Sequence, residues 1–91
     1  MDGYIYIIEC IKMSKNDLGE KFFYTGMTAR DPNIRFTEHV HGINSQWMCN
    51  NNIRPRRLIY VELLKDCSLT DLLYREQQVK RMSHKTKGEL I

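Results

Sequence analysis

Long apolar runs are missing from this 91-residue chain. The longest, such as Tyr4 to Ile8, are far shorter than the roughly 20 residues a membrane-spanning helix requires. No transmembrane helix is expected. The opening residues, Met1-Asp2-Gly3-Tyr4, lack the basic start of a secretory signal. A cytoplasmic protein, nuclear in a eukaryote, is the expectation, with no membrane partner. Cysteine is scarce and odd in number: Cys10, Cys49 and Cys67 form no Cys-x-x-Cys pair, and no histidine lies at zinc-finger spacing from them. That argues against a disulfide framework or a zinc site and for reduced, mostly buried thiols. A nucleophilic pair such as Cys49 with His39 is the minor alternative. There are only two prolines and five glycines, with no repeat, low-complexity tract or linker. One domain over residues 1–91 follows.

What is present is an ordinary globular balance, 42% hydrophobic and 27% charged, enough apolar surface for a core. The net charge of +3 is unevenly spread. Residues 1–45 carry five basic and six acidic side chains, residues 46–91 nine and five. The excess sits in Arg54, Arg56, Arg57, Arg75, Lys80, Arg81, Lys85 and Lys87, a pattern that suits a polyanionic partner. A solvated helix surface explains the charge alone equally well.

Periodicity predicts an α+β domain with a small three-stranded, mostly antiparallel sheet flanked by helices. Residues 4–10 and 21–27 read as strands, rich in β-branched and aromatic residues and joined as a hairpin. Residues 57–64 are the most apolar strand and are expected at the centre of the sheet. Asp31-Pro32 is an N-cap followed by a helix-starting proline, so a helix runs over about 32–41 with Gly42 at its C-terminal stop. Phe36 and Val40 form its apolar stripe, with Arg35 and His39 four apart on a neighbouring one. The polar connection 43–55 carries Trp47, as a packed anchor or, less favoured, a base-stacking surface. Ser68 with Asp71 caps a helix over about 69–82, and Ser83 starts a last one over 84–90.

Within 69–82, Leu69, Leu72, Leu73 and Val79 mark the face expected to dock on the sheet. Glu76 falls on the same face. A carboxylate there is costly unless it is paired, protonated or bound to something. Pairing with Arg35, Arg75 or a tyrosine hydroxyl would make it structural. The other residues able to carry chemistry are Tyr4 and Tyr6 on one strand face, Tyr24 beside Gly26 on the next strand, and the Arg35–His39 stripe. Each has an ordinary explanation: aromatic packing for the tyrosines, solvated surface for Arg35 and His39.

In order, however, the set resembles the GIY-YIG endonucleases, particularly their small stand-alone members. Tyr4-Ile5-Tyr6 resembles the first motif, with Gly3 beside the tyrosine that replaces its glycine. Tyr24-Thr25-Gly26 resembles the second, Arg35 with His39 the first-helix pair, and Tyr74-Arg75-Glu76-Gln77 the glutamate helix. The strand Arg56-Arg57-Leu58-Ile59-Tyr60-Val61-Glu62 is similar as well. The connection between the first two strands is longer than in the small members, and basic residues stand where some larger members have an asparagine.

The resemblance implies a divalent-metal-dependent endonuclease that hydrolyses phosphodiester bonds in DNA, directed by structure or by a partner, with RNA left open. It implies Glu76 as anchor of a single Mg²⁺ or Mn²⁺, an ion that keeps most of its waters and needs one or two carboxylates. Arg35 would clamp phosphate, Tyr6 would serve as general base, Tyr24 would orient the nucleophile, and His39 would orient water or relay a proton. Tyr4 and Gly26 would support the site, Gly26 by letting backbone approach closely. Arg54, Arg56, Arg57, Lys80, Arg81, Lys85 and Lys87 would contact phosphates, with Arg75 also facing the nucleic acid. A second copy or a protein partner would supply specificity. The rival expectation is a binding module of the same fold without catalysis.

Overall fold

The computed structural model describes residues 1–12, 20–42 and 52–85, with only the backbone of Glu20 and of residues 83–85. Three strands, β1 (Gly3–Lys12), β2 (Glu20–Thr28) and β3 (Ile53–Leu64), form an antiparallel sheet in the order β2-β1-β3. The central strand is β1, not the strand at 57–64. Ile5, Tyr6, Ile7, Ile8 and Cys10 are all at most 1% exposed, whereas Val61 and Leu63 on β3 remain 47% and 43% exposed. Both strands read as comparable apolar runs. Only pairing on both edges and cover on both faces makes β1 the core.

β3 starts earlier than expected and includes Pro55, which an edge strand tolerates because it need not donate there. Its register against β1 slips twice, between Ile7↔Tyr60 and Ile8↔Leu58 and between Glu9↔Arg57 and Cys10↔Pro55. Ile59 and Arg56 are the bulged residues. Tyr6 lies opposite Gly26 on β2 and Val61 on β3.

The pleat divides the core into two clusters. Ile5 and Ile7 pack with Cys67, Leu72 and Val79. Tyr6, Ile8 and Cys10 pack with Ile53, backed by Phe22, Tyr24, Phe36 and Leu58. The second cluster lies under helix α1 (Pro32–Val40), the first under helix α2 (Leu69–Lys85). Both helices begin as the sequence predicts. The Asp31 carboxylate accepts from Asn33 N–H at 2.9 Å, with Pro32 at the first position. At the other end Gly42 adopts φ 75°, a left-handed stop that costs glycine little. Ser68 Oγ accepts from Asp71 N–H at 3.1 Å while the Asp71 carboxylate accepts from Ser68 N–H at 3.0 Å, a reciprocal box.

Two expectations about the helices fail. Residues 83–85 continue α2 rather than opening a new helix, and the remainder of the expected third helix lies outside the described residues. The docking face of α2 is also narrower: Leu72 and Val79 are 2% exposed, but Leu69 and Leu73 are 55% and 43% exposed. A one-layer contact with a small sheet covers only the stripe Leu72, Glu76, Val79. α1 shows the same economy. Pro32 and His39 are buried and Phe36 partly so, while Val40 points out at 51%.

An ionic clamp fastens α2 to β3. Arg75 donates from Nε and a terminal nitrogen to the two oxygens of Glu62, at 2.7 and 2.8 Å, and Tyr60 O–H donates to the same carboxylate. The Arg75 guanidinium holds Glu62 below the usual carboxylate range, and the Glu62 carboxylate pushes the Tyr60 phenol up. Each partner is a quarter to a third exposed, so solvent screens the pair. A double-mutant cycle over Arg75→Ala and Glu62→Ala is expected to give a coupling of about 1 kcal/mol in chemical denaturation.

Candidate active site

Four of the five expected catalytic side chains surround one point where β1, β2 and α1 meet. Tyr6 projects from the α1 face of β1. Tyr24 lies on the same face of β2, two residues from Gly26. Arg35 and His39 come down from α1. The Tyr6 hydroxyl and His39 Nε2 share a hydrogen bond of 3.2 Å. The Tyr24 ring meets His39 edge-on at 5.3 Å between centroids and lies 6.4 Å from the Tyr6 ring. Glu76, from α2, completes the group electrostatically: its charge acts on both tyrosines. The phenol of Tyr4 joins none of these ring contacts among the described residues, which leaves Tyr6 as the β1 tyrosine of the cluster.

Gly26 stands where a neighbour comes close. A Cβ placed there would stand 2.5 Å from the Tyr6 hydroxyl oxygen and 2.6 Å from its ring carbon. The missing side chain makes room for the Tyr6 ring, which lies across β2.

Burial sets the protonation states. Tyr6, 1% exposed, is pushed up to about 12, first by burial and then by the neighbouring Tyr24, while Arg35 pulls it back. Burial also raises Tyr24, again opposed by Arg35. His39, 4% exposed, is driven down to about 4 by burial and then by the Arg35 charge. It is therefore neutral near pH 7. Because its folded value lies below the ordinary one, the unfolded chain binds the extra proton between about 4 and 6.5, and stability falls as pH drops through that window. An NMR titration of the His39 ring is expected to show its midpoint near 4.

Arg35 is anchored by Glu38, with NH1 to Oε1 at 3.3 Å, and Arg30 grips the same oxygen at 2.6 Å. Arg30 and, to a smaller extent, Arg35 lower the Glu38 pKa. Sequence reading missed Glu38. Its signal was the i,i+3 spacing from Arg35.

Glu76 is half-buried, and burial raises its pKa, with Lys80 opposing. Neither arginine considered as its partner is spent on it: Arg75 holds Glu62 and Arg35 holds Glu38. Among the described residues no cation closes a salt bridge on Glu76. No group of three His, Cys, Asp or Glu there could cage a metal ion. A lone, partly desolvated carboxylate fits a hard divalent ion that takes one protein oxygen and otherwise water and phosphate. It does not fit zinc.

The expected phosphate contacts divide. Arg54, Arg56, Lys80 and Arg81 are exposed. Arg57 is exposed too but is tied to Glu9, through Nε and a terminal nitrogen, both at 3.3 Å. Arg75, also expected to face the nucleic acid, is tied to Glu62. For Lys85 only the backbone is described, and Lys87, Trp47 and Cys49 lie outside the described residues, as do the two longest connections. Cys10 and Cys67 are buried free thiols, and burial pushes Cys10 up to about 12, so Cys10 is not poised as a nucleophile. Among the described residues no helix is long and apolar enough to cross a membrane.

A UPF0213 protein of Syntrophus aciditrophicus (strain SB) is 34% identical over 89 residues, covering 98% of this chain and 88% of that protein. Frizzled and smoothened-like protein C of Dictyostelium discoideum is 30% identical over 80 residues, 88% of this chain but 12% of that much longer protein. No solved structure matches. The GIY-YIG catalytic domain matches residues 2–89, a family of nucleases that act on nucleic acid and generally use divalent metal ions. With the family pattern running from the tyrosine hairpin to the glutamate helix, the chain belongs to the GIY-YIG family.

Proposed function

We propose that this chain is a divalent-metal-dependent endonuclease hydrolysing phosphodiester bonds in DNA, with one active site per chain. The observation that carries it is the convergence of Tyr6, Tyr24, Arg35 and His39 on one point within electrostatic reach of the Glu76 carboxylate, which closes no salt bridge among the described residues. Glu76 would hold Mg²⁺ or Mn²⁺, which when bound supplies charge neutralisation at the phosphoryl oxygens and a more acidic water.

The chain's own residues cover the rest. Arg35, braced by Glu38, presents its fork to a phosphate oxygen and offsets the charge that develops there. Tyr6 is the candidate base toward water. With its proton on Nδ1, neutral His39 accepts from the Tyr6 hydroxyl and orients it; with a value near 4 it can relay the tyrosine's proton to solvent but not keep it. A phenol near 12 ionises reluctantly, so this step depends on the positive charge of Arg35 and of the bound ion. Tyr24, less covered than Tyr6, orients the nucleophile or the phosphate. Arg54, Arg56, Arg57, Lys80, Arg81, Lys85 and Lys87 carry the backbone of the nucleic acid past the site, and a structure-directed substrate or a partner sets specificity.

The test is a cleavage panel of plasmid, flap, junction and RNA substrates with Mg²⁺ or Mn²⁺. EDTA and Glu76→Ala serve as controls. Cutting that stops in EDTA and in the variant is expected. Metal-dependent cutting by Glu76→Ala would overturn the assignment of the metal anchor. A wild type that binds DNA and cuts none of the substrates would favour the binding module.

A further inference from the structure

On the α2 face of the sheet, beyond the helix itself, β1, β2 and β3 together line a cleft of about 370 Å³ bordered by Glu9, Ile11, Lys21, Arg56 and Arg57. That cleft is separate from the tyrosine cluster. Glu9 is three residues from Tyr6 along β1, about 10 Å at strand rise, and odd spacing places it on the opposite face.

Its charge is unbalanced. One carboxylate, Glu9, is nearly buried at 7% exposure and faces three cations. Arg57 bonds it directly, and the charges of Lys21 and Arg56 also reach it. Among the described residues neither Lys21 nor Arg56 closes a salt bridge of its own. A purely structural pair would need Arg57 alone. Like charges brought together from neighbouring strands repel one another, and a second anion between them would relieve that repulsion. Arg56 is also the residue bulged out of the β1–β3 register, and a bulge commonly re-aims a side chain at a site. Glu9 holds the Arg57 guanidinium in place through two nitrogens, so less side-chain freedom is lost when its remaining donor meets a ligand.

We propose that Lys21, Arg56 and Arg57, organised by Glu9, form a binding site for a backbone phosphate of the nucleic acid, apart from the catalytic cluster. The inference rests on the nucleic-acid partner of the proposed function and adds a second point of attachment on the other face of the sheet. A strand held at both points has to pass around the sheet rather than lie on one side of it. Lys21 and Glu9 are the residues added to the interface. Both lie in the hairpin, away from the basic runs that mark the rest of it.

The test is binding of a fluorescent duplex oligonucleotide to the full chain in EDTA, so that turnover plays no part, across a series of salt concentrations. Lys21→Ala and Arg56→Ala are each expected to weaken binding about three- to tenfold and to reduce the log–log salt slope by about 1. Lys65→Ala, which removes the same charge from an exposed position just after β3, is the control and should change the slope far less. Lys21→Ala behaving like Lys65→Ala would overturn the proposal. So would saturable binding of inorganic phosphate at Lys21 with unchanged DNA affinity, which would assign the cleft to a free anion. Because binding is read without metal, failure of this site is distinct from failure of the nuclease assignment, which shows only in the cleavage panel.

Discussion

Glu76→Gln is expected to lower metal-dependent cleavage on the order of 10³-fold, the scale of removing a principal stabiliser of transition-state charge, while leaving the protein at least as stable as wild type. The two effects separate because Glu76 makes no salt bridge among the described residues and is partly desolvated. Burial makes its carboxylate a cost to the fold that the Lys80 charge only partly offsets. The sign follows from the raised pKa. The folded state binds the proton more tightly than the unfolded chain, so stability falls as pH rises from the unfolded value near 4.5 through the raised folded one. Glutamine, uncharged throughout, escapes that loss. Melting temperatures measured in EDTA should therefore be equal or higher for the variant at pH 7 and should converge with wild type on acidification. Adding Mn²⁺ should raise the wild-type melting temperature and not that of the variant. A variant markedly less stable than wild type in EDTA would mean that Glu76 is a structural carboxylate after all.

Gly26→Ala is expected to damage both fold and activity. Its Cβ would fall within 3.0 Å of three atoms of the Tyr6 side chain. The ring cannot swing away freely, since Tyr6 is 1% exposed and packed with Ile8, Cys10 and Ile53. Overpacking of this kind costs about 1–3 kcal/mol. Whatever shift relieves it moves the tyrosine hydroxyl away from His39, and a displacement of about 1 Å is enough for a rate loss near 10²-fold. Denaturant titration and cleavage rates measured side by side would check this. Wild-type activity in Gly26→Ala would show that the Tyr6 position is not critical. Tyr6→Phe is the informative companion. It leaves the ring and the packing in place but removes the hydroxyl, so it isolates the chemical contribution from the steric one.

Much of the candidate site was legible because its residue types conflict with their surroundings. A glutamate four after Leu72 and three before Val79, and a glycine inside a strand, are departures from pattern that a chain retains for a reason. Both helix starts were legible for a local reason: Asp31-Pro32 and Ser68 with Asp71 act within three residues. His39 was legible as a candidate but not as buried. The neighbouring Val40 is the more apolar residue, yet the turn of α1 that seats Phe36 over the sheet brings His39 inward and leaves Val40 outside. The partners of charges were not legible at all. Arg75 could have met Glu76, Glu62 or a phosphate, and its choice of Glu62 depends on the distance between α2 and β3.

The sequence by itself determined the local features: two capped helices, an aromatic hairpin, a carboxylate on an apolar stripe and a family pattern running along nearly the whole chain. These follow from interactions between residues a few positions apart. Tertiary structure alone decided the rest. It made β1 the central strand, turned Leu69 and Leu73 outward, laid the Tyr6 ring over Gly26, and gathered Lys21, Arg56 and Arg57 around Glu9. The reason is the same in each case. Strand order, helix rotation and strand register are set by contacts between residues far apart in the chain, and a two-residue pleat broken by bulges at Ile59 and Arg56 cannot be read from either strand alone.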